Sequence, residues 1–213
     1  MPVKHSPTAH TRNPERTKER ILKAATKIFA SRGFDGARVD RIADEARINK
    51  QLLYHHFGSK DDLFTAVLES AYRDIRSQES ALELDSLRAD KAILALVEFT
   101  WRYYLANPDF IRLLNSENQL EARHLKGSSR TRAINASHIA LAEKLLARGR
   151  RERSIRRDLD ALQLNINIAA LGFFYLMNRH TLSTVFQRDL GSKKMLEKRL
   201  SVMKDTIARW IQP

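Results

Sequence analysis

Apolar residues recur at helical spacing along almost the whole chain, and this pattern limits the fold more than any other sequence feature. Ile21, Ala25 and Phe29, for example, lie on one face of a helix. No stretch shows the sustained apolar–polar alternation that is typical of hairpin strands. The chain is therefore predicted to be all-α, with about nine helices. These are expected at 15–32, Val39 to Ala46, 50–56, Ser59 to about 80, 90–106, 108–120, 128–152, 158–186 and 193–211.

Composition excludes several classes of protein. Of the 213 residues, 43% are hydrophobic, which is enough for a buried core. No apolar run approaches the roughly 18 residues of a membrane span, and no signal peptide is recognisable, so a cytoplasmic protein without a membrane partner is expected. Cysteine is absent, the seven histidines lack metal-ligand spacing, and no phosphate loop or nucleophile motif occurs. Neither an enzyme nor a metal or cofactor is expected.

Positive charge is concentrated near the N-terminus. The formal net charge is +13, and residues 1–60 hold 13 Lys and Arg against 6 Asp and Glu, while residues 61–213 hold 25 against 19. Positive charge per residue is therefore about three times higher in the first segment, which favours a polyanionic partner. A surface charge that only increases solubility remains an alternative.

Three domains are predicted. Residues 1–14 contain three prolines and almost no large apolar residues, so they are interpreted as a flexible basic arm. Residues 15–62 form a first helical domain and residues 63–213 a second. Lys4, Arg12 and Arg16 are candidates for a minor-groove contact, and a plain disordered tail is the alternative.

Two short helices between residues 39 and 56 match a helix-turn-helix. Asn49 is expected to cap the second of them, and Ser59 the helix that follows. Leu53 and Phe57 are four residues apart and are expected to face the core. Four residues on the other faces of the second helix can then contact DNA; they are Lys50, Gln51, Tyr54 and His55.

The segment from residue 20 to 69 resembles the DNA-binding domain of the TetR family of transcriptional regulators. The resemblance covers some 50 residues. Its most specific part is the pattern Leu53-Tyr54-x-x-Phe57-x-x-Lys60-x-x-Leu63. The other matching residues are Phe29, Gly33, Phe34, Ile42 and Ala43.

The resemblance implies roles for several polar residues. Tyr54 and Lys60 are expected to bind phosphates, whereas Lys50 and Gln51 are expected to enter the major groove, where Lys suits guanine and Gln suits adenine. Each histidine of the helix is a candidate for a backbone contact, with a solvated side chain as the alternative. The complete predicted DNA-binding set is Arg38, Asn49, Lys50, Gln51, Tyr54, His55, His56 and Lys60.

Two residues depart from the family pattern on either side of the first short helix. Arg38 stands where Ser or Thr is usual, and an arginine cannot cap a helix through an oxygen, so Asp40 is expected to take that role. Arg47 replaces the usual glycine, so it must adopt a left-handed conformation or change the turn. We favour the left-handed conformation.

A homodimer is expected because the predicted helix 158–186 is apolar on two faces, with a second stripe at Leu164, Ile168, Leu171 and Tyr175. The family dimerises through its last two long helices, although an intramolecular core would also explain either stripe. The predicted interface residues are Leu162, Ile166, Ala169, Phe173, Leu196, Leu200, Met203, Ile207 and Trp210. A two-fold dimer would bind a near-palindromic operator with half-sites about 34 Å apart.

The aromatic middle helices are expected to form a pocket for a small organic effector, as the family resemblance implies. For His138 a core histidine is favoured, with a ligand contact as the alternative. The arginines between 148 and 157 could attract an anionic effector, although a solvated surface is the usual interpretation of such a cluster. The predicted pocket residues are Phe99, Tyr103, Asn115, His138, Asn167 and Phe174.

These features predict a sequence-specific DNA-binding regulator, a repressor that an effector releases from its operator by population shift. The main rival is a helical binding module that uses its basic face for RNA or an anionic membrane.

Overall fold

A computed structural model describes residues 14–213, so the predicted N-terminal arm lies outside the described residues except for Pro14, which begins the first helix. Within the described range the chain forms ten α-helices and one 3₁₀ helix, with no strand. The all-α prediction is confirmed. None of the helices in this range is long and apolar enough to cross a membrane.

The chain divides into two compact units, Met1–Val67 and Leu68–Pro213. The division falls within one helix, five residues beyond the predicted boundary at 62. Each unit has its own core and is described separately.

The first unit contains α1 (Pro14–Gly36), α2 (Val39–Glu45), α3 (Lys50–Phe57) and the start of α4 (Lys60–Ser80). Ile21, Ile42 and Leu53 are fully buried and bring the three helices together. The ring of Phe29 lies 4.8 Å from that of Phe64 on α4, in an edge-on arrangement typical of aromatic pairs. Residues predicted to face the core therefore form it.

Gly33 was predicted to end the first helix at about residue 32. Its φ of 67° lies in the left-handed region, but its ψ of 176° is extended. Only glycine adopts this conformation readily. The helix therefore kinks at Gly33 and helical hydrogen bonding resumes as far as Gly36, four residues beyond the predicted end.

The second unit is built around α5 (Ala89–Ala106), which contributes the fully buried Trp101 to its core. The 3₁₀ helix Leu84–Ser86 precedes it. The later helices are α6 (Pro108–Gln119), α7 (Ser129–Glu152), α8 (Ala161–Met177), α9 (Arg179–Val185) and α10 (Lys193–Ile211). A second, smaller cluster contains Ile75, Tyr103, Tyr104, Phe110 and Ile111.

The predicted helix 158–186 is wrong at both ends. Asp160 caps the start, because its side chain accepts a hydrogen bond from the Gln163 amide at 2.8 Å, so Leu159 precedes the helix. α8 ends at Met177, and Asn178 donates its side-chain amide to the Phe174 carbonyl at 2.9 Å. A separate short helix, α9, follows and has no buried residue. The described residues therefore form ten α-helices where nine are predicted.

Candidate functional site

The recognition helix α3 separates an apolar face from a polar one. The Asn49 side chain accepts a hydrogen bond from the Leu52 amide at 2.7 Å, which confirms the predicted cap. Leu53 and Phe57 are buried in the first unit. The side chains of Gln51, Tyr54 and His55 are exposed. The helix thus presents donors, acceptors and an aromatic hydroxyl to solvent.

Lys50 at the start of α3 is paired with Asp40 of α2. Its Nζ lies 2.8 Å from Asp40 Oδ1, and both side chains are about half exposed, at 49% and 55%. The hydrogen bond and charge of Lys50 lower the pKa of Asp40, and Asp40 raises the pKa of Lys50 in return. The prediction that Asp40 caps α2 is wrong: no side-chain cap closes the helix at Arg38.

The turn between α2 and α3 contains Arg47 at a φ of 52°, which confirms the favoured left-handed conformation. Such a residue costs about 1 kcal/mol relative to glycine. The guanidinium of Arg20 on α1 offsets this cost, because it donates to the Ala46 carbonyl and, at 3.1 Å, to the Arg47 carbonyl. The carbonyls of the two residues that follow α2 are thereby satisfied.

The connection to α4 also follows the sequence prediction. Ser59 accepts a hydrogen bond from the Asp62 amide at 3.0 Å and donates its hydroxyl to the Asp62 carboxylate at 2.6 Å. Lys60, the next residue, lies over the Phe34 ring at 4.5 Å from its centroid. This cation–π contact fixes the ammonium at the start of α4.

The eight predicted DNA-binding residues belong to the first unit and differ in exposure. Two of them, His56 and Lys60, are half-buried, and the ring of His56 packs 6.5 Å from that of Phe57. The other six are exposed; they are Arg38, Asn49, Lys50, Gln51, Tyr54 and His55. Sequence reasoning missed Arg20, whose role as a capping donor depends on a residue 26 positions away.

The predicted dimer interface needs correction on α10. Leu200, Met203 and Ile207 are buried within the second unit itself, in its main core cluster. They are therefore unavailable to a partner subunit. Their spacing of three and four residues reflects packing within the subunit, mainly against α5 and α8.

Other predicted interface residues divide between core and surface. Leu196 and Trp210 are partly buried against the main core, and Phe173 packs against the smaller aromatic cluster. Leu162 and Ile166 are 53% and 47% exposed. With two further exposed residues they form what we call the outer face of α8: Leu162, Ile166, Ala170 and Phe174.

The predicted effector residues lie in different surroundings. Phe174 is 60% exposed on the outer face of α8. Tyr103 is buried and donates its hydroxyl to Asp74 at 2.7 Å, with Phe99 beside it at 6.0 Å between ring centroids. Asn115 and Asn167 are half-buried. His138 lines a cavity together with Arg76, Glu79 and Asn165, none of which is a predicted effector residue.

That cavity contains a buried polar cluster, which we define as Arg76, Glu79, His138 and Asn165. Arg76 Nη1 lies 2.8 and 2.9 Å from the two Glu79 oxygens, and His138 Nδ1 lies 2.9 Å from one of them. Burial raises the pKa of Glu79, but the hydrogen bonds and charges of His138 and Arg76 outweigh this and leave the pKa below its ordinary value. Asn165 is buried close by.

Sequence reasoning missed three members of the polar cluster. Arg76 and Glu79 are spaced like an ordinary solvated ion pair on a helix, and only tertiary packing buries them. The one available signal was Asn165, which with Gln163 and Asn167 is one of three polar residues in the mainly apolar α8.

Two family models match the chain. The model described as "Bacterial regulatory proteins, tetR family" matches residues 21–67, and the one described as "Tetracyclin repressor-like, C-terminal domain" matches residues 90–207. Together they cover both units.

Individual relatives agree with these matches. The transcriptional repressor NicS of Pseudomonas putida is 34% identical over 198 residues, which is 93% of each chain. The repressor SCO4008 of Streptomyces coelicolor is 43% identical over 103 residues, covering 48% of this chain and 50% of that protein. Among solved structures, FadR of Bacillus subtilis in complex with stearoyl-CoA is similar, with a TM-score of 0.69 at 15% identity and coverage of 92% and 100%.

Proposed function

The chain belongs to the TetR family of transcriptional regulators and is not an enzyme, and from this premise we propose that it is a dimeric repressor. It binds a near-palindromic operator and leaves it when a small-molecule effector binds. Operator binding would put the protein in the bacterial cytoplasm. The domain assignment proposed with it is an arm at 1–14, a DNA-binding domain at 15–62 and an effector and dimerisation domain at 63–213.

One observation carries the DNA-binding proposal: α3 is capped at its start, anchored by Leu53 and Phe57, and polar on its exposed face. An anchored helix can enter the major groove without losing its core contacts. Gln51 is exposed next to the cap, where the start of a recognition helix meets base edges.

Phosphate contacts are proposed for the residues around this helix. Tyr54 donates its hydroxyl, and Lys60, fixed over Phe34, contributes a positive charge. In the free protein Lys50 forms a 2.8 Å ion pair with Asp40. This ion pair must break before Lys50 can contact a base. Arg38, Asn49, His55 and His56 complete the proposed contact set.

The dimer is proposed to form through the outer face of α8. Its four apolar residues follow each other at four-residue spacing and are exposed in the single chain. Exposed apolar surface of this kind marks an association site. A two-fold axis there would present two copies of α3 about 34 Å apart.

The proposed repressor is tested by selecting operator sequences with the purified chain and measuring affinity by fluorescence anisotropy. Specific binding should exceed binding to bulk DNA by about a thousandfold or more. Gln51→Ala should relax preference at one base pair, whereas Tyr54→Phe should weaken binding to all sequences alike. Gln119→Ala, on the exposed surface of α6, serves as the matched control and should change neither.

Two results would contradict the proposal. Equal affinity for all duplexes, or for RNA and anionic vesicles, would favour the rival binding module. A selected sequence logo unchanged by Gln51→Ala would remove Gln51 from the major groove.

A further inference from the structure

Three buried side-chain donors of the second unit have no hydrogen-bond partner among residues 14–213, and two of them, on Asn165 and Arg76, belong to residues around the same cavity. The third, Arg148 Nε, lies 3.5 Å from Glu152 Oε1. Asn165 is 8% exposed, and its Nδ2 has no hydrogen-bond partner in that range. The Nε of Arg76 is likewise buried and without one. Buried polar groups in proteins are almost always hydrogen-bonded, so two orphan donors require an explanation.

Both donors belong to residues around one cavity of about 30 Å³. A water-sized group needs roughly 10–15 Å³, so the cavity holds about two such groups. Most of its wall is apolar, with Ile75, Leu96 and Ile168 contributing side chains. The occupant must therefore be small, and it must bring hydrogen-bond acceptors.

Three charged or ionisable side chains besides the Tyr104 phenol line this cavity: Arg76, Glu79 and His138. From α4, Arg76 and Glu79 face each other, and His138 approaches Glu79 from α7. Burial raises the pKa of Tyr104 on α5 to about 12, so this phenol stays neutral. Glu79 supplies the carboxylate of this cavity, beside Arg76 and His138.

A larger space adjoins the same residues. A groove of about 420 Å³ lies between the end of α4 and α7, and Arg76 and Glu79 line both the groove and the cavity. Leu82 and Leu141 contribute apolar surface to it. The groove alone has the size of small-molecule sites, and the Arg76 and Glu79 side chains connect its lining with that of the cavity.

We propose that the cavity receives the carboxylate of a small organic acid whose apolar body lies in the groove. One oxygen accepts from Asn165 Nδ2 and the other from Arg76 Nε, so that both orphan donors are satisfied. The inference rests on the proposed function, because it names the chemical class of the effector. Ordered water is the competing occupant.

The test measures binding to the full chain without DNA, by calorimetry, using acetate, butyrate, hexanoate, benzoate and phenylacetate. The matched alcohols, such as benzyl alcohol for benzoate, have the same body without the carboxylate. At least one acid should bind and raise the melting temperature, and its alcohol should bind at least about tenfold more weakly.

Asn165→Leu is the decisive variant, because it removes the orphan donor while keeping a side chain of similar volume. It should weaken acid binding about tenfold or more and leave the melting temperature of the free chain unchanged or raised. Gln163→Leu, two residues before it on α8 and exposed, is the matched control and should bind the acid normally.

Several results would overturn the inference: no acid binds, the alcohols bind equally well, Asn165→Leu has no effect, or crystals grown with the acid show only water. Operator binding is measured on the same samples. If selectivity for the operator persists, the effector class alone is wrong; if selectivity is absent, the proposed regulator fails.

Discussion

The two units of the chain distribute polar and apolar side chains in opposite ways. In the first unit, Gln51, Tyr54 and the Lys50–Asp40 ion pair are on the surface, while the apolar face of α3 is buried. In the second unit, the Glu79 carboxylate is buried with Arg76 and His138, while the outer face of α8 exposes apolar residues.

This difference fits the partners proposed for the two units. A polyanion is bound from the surface, where long polar side chains stay solvated until contact. The proposed small-molecule effector would instead be bound inside, where a few fixed polar groups define it, and the proposed second subunit would be bound through exposed apolar area.

The largest effect on assembly is expected at the outer face of α8. Ile166→Asp should weaken dimerisation by roughly a hundredfold, because it buries an unpaired charge in the interface. Analytical ultracentrifugation measures the change, with Ala136→Asp on the exposed surface of α7 as control. An unchanged dimer would move the interface elsewhere.

Met203→Ala tests whether Met203 belongs to the core of its own subunit or to the dimer interface. It should lower the free energy of unfolding by about 2–5 kcal/mol, because Met203 is fully buried in its own subunit. Urea unfolding measures the loss of stability, and ultracentrifugation measures whether the variant still dimerises. A folded Met203→Ala monomer of undiminished stability would restore Met203 to the interface.

The next prediction compares the buried carboxylate of Glu79 with the exposed carboxylate of Asp40. Glu79→Gln should destabilise the second unit by about 2 kcal/mol at pH 7, since it removes a charge that Arg76 and His138 both contact. Asp40→Asn should have a negligible effect, because its pair with Lys50 is exposed to solvent.

The pH dependence follows from the lowered pKa of Glu79. The ordinary pKa of a glutamate is near 4.5, and the pKa of Glu79 in the folded chain lies below it. The unfolded chain therefore binds the Glu79 proton more tightly than the folded chain does. The stability that it contributes is present above that value and is lost as pH falls through the folded pKa. Urea midpoints at pH 7 and pH 4 should therefore differ less in Glu79→Gln than in the wild type; an identical difference would contradict this.

The smallest effect concerns two arginines in left-handed turns, one in each unit. Arg47 and Arg153 have φ values of 52° and 54°. Replacing either with glycine should raise stability by about 0.5–1 kcal/mol, because glycine adopts this conformation without strain. Calorimetry measures the gain. A loss on Arg47→Gly alone would mean that its side chain stabilises the turn.

Prediction from sequence succeeded where the determinants are local. The caps at Asn49 and Ser59 and the left-handed Arg47 were all foreseen, because each depends on residues within a few positions. Asp40 was misassigned because its nearest cation, Lys50, belongs to the next helix. The split of the predicted helix 158–186 was missed because asparagine also occurs inside helices, and the contact of the Asn178 side chain with the Phe174 carbonyl is evident only in the structure.

The sequence by itself determined an all-helical chain, the helix-turn-helix and its family, since spacing and capping are properties of neighbouring residues. Only the tertiary structure decided which apolar stripes are interior. Met203 and Ile166 are equally apolar in sequence, yet one is fully buried and the other 47% exposed. Only the tertiary structure, likewise, brought Arg76, Glu79, His138 and Asn165 together, because burial depends on helices that are distant in the chain.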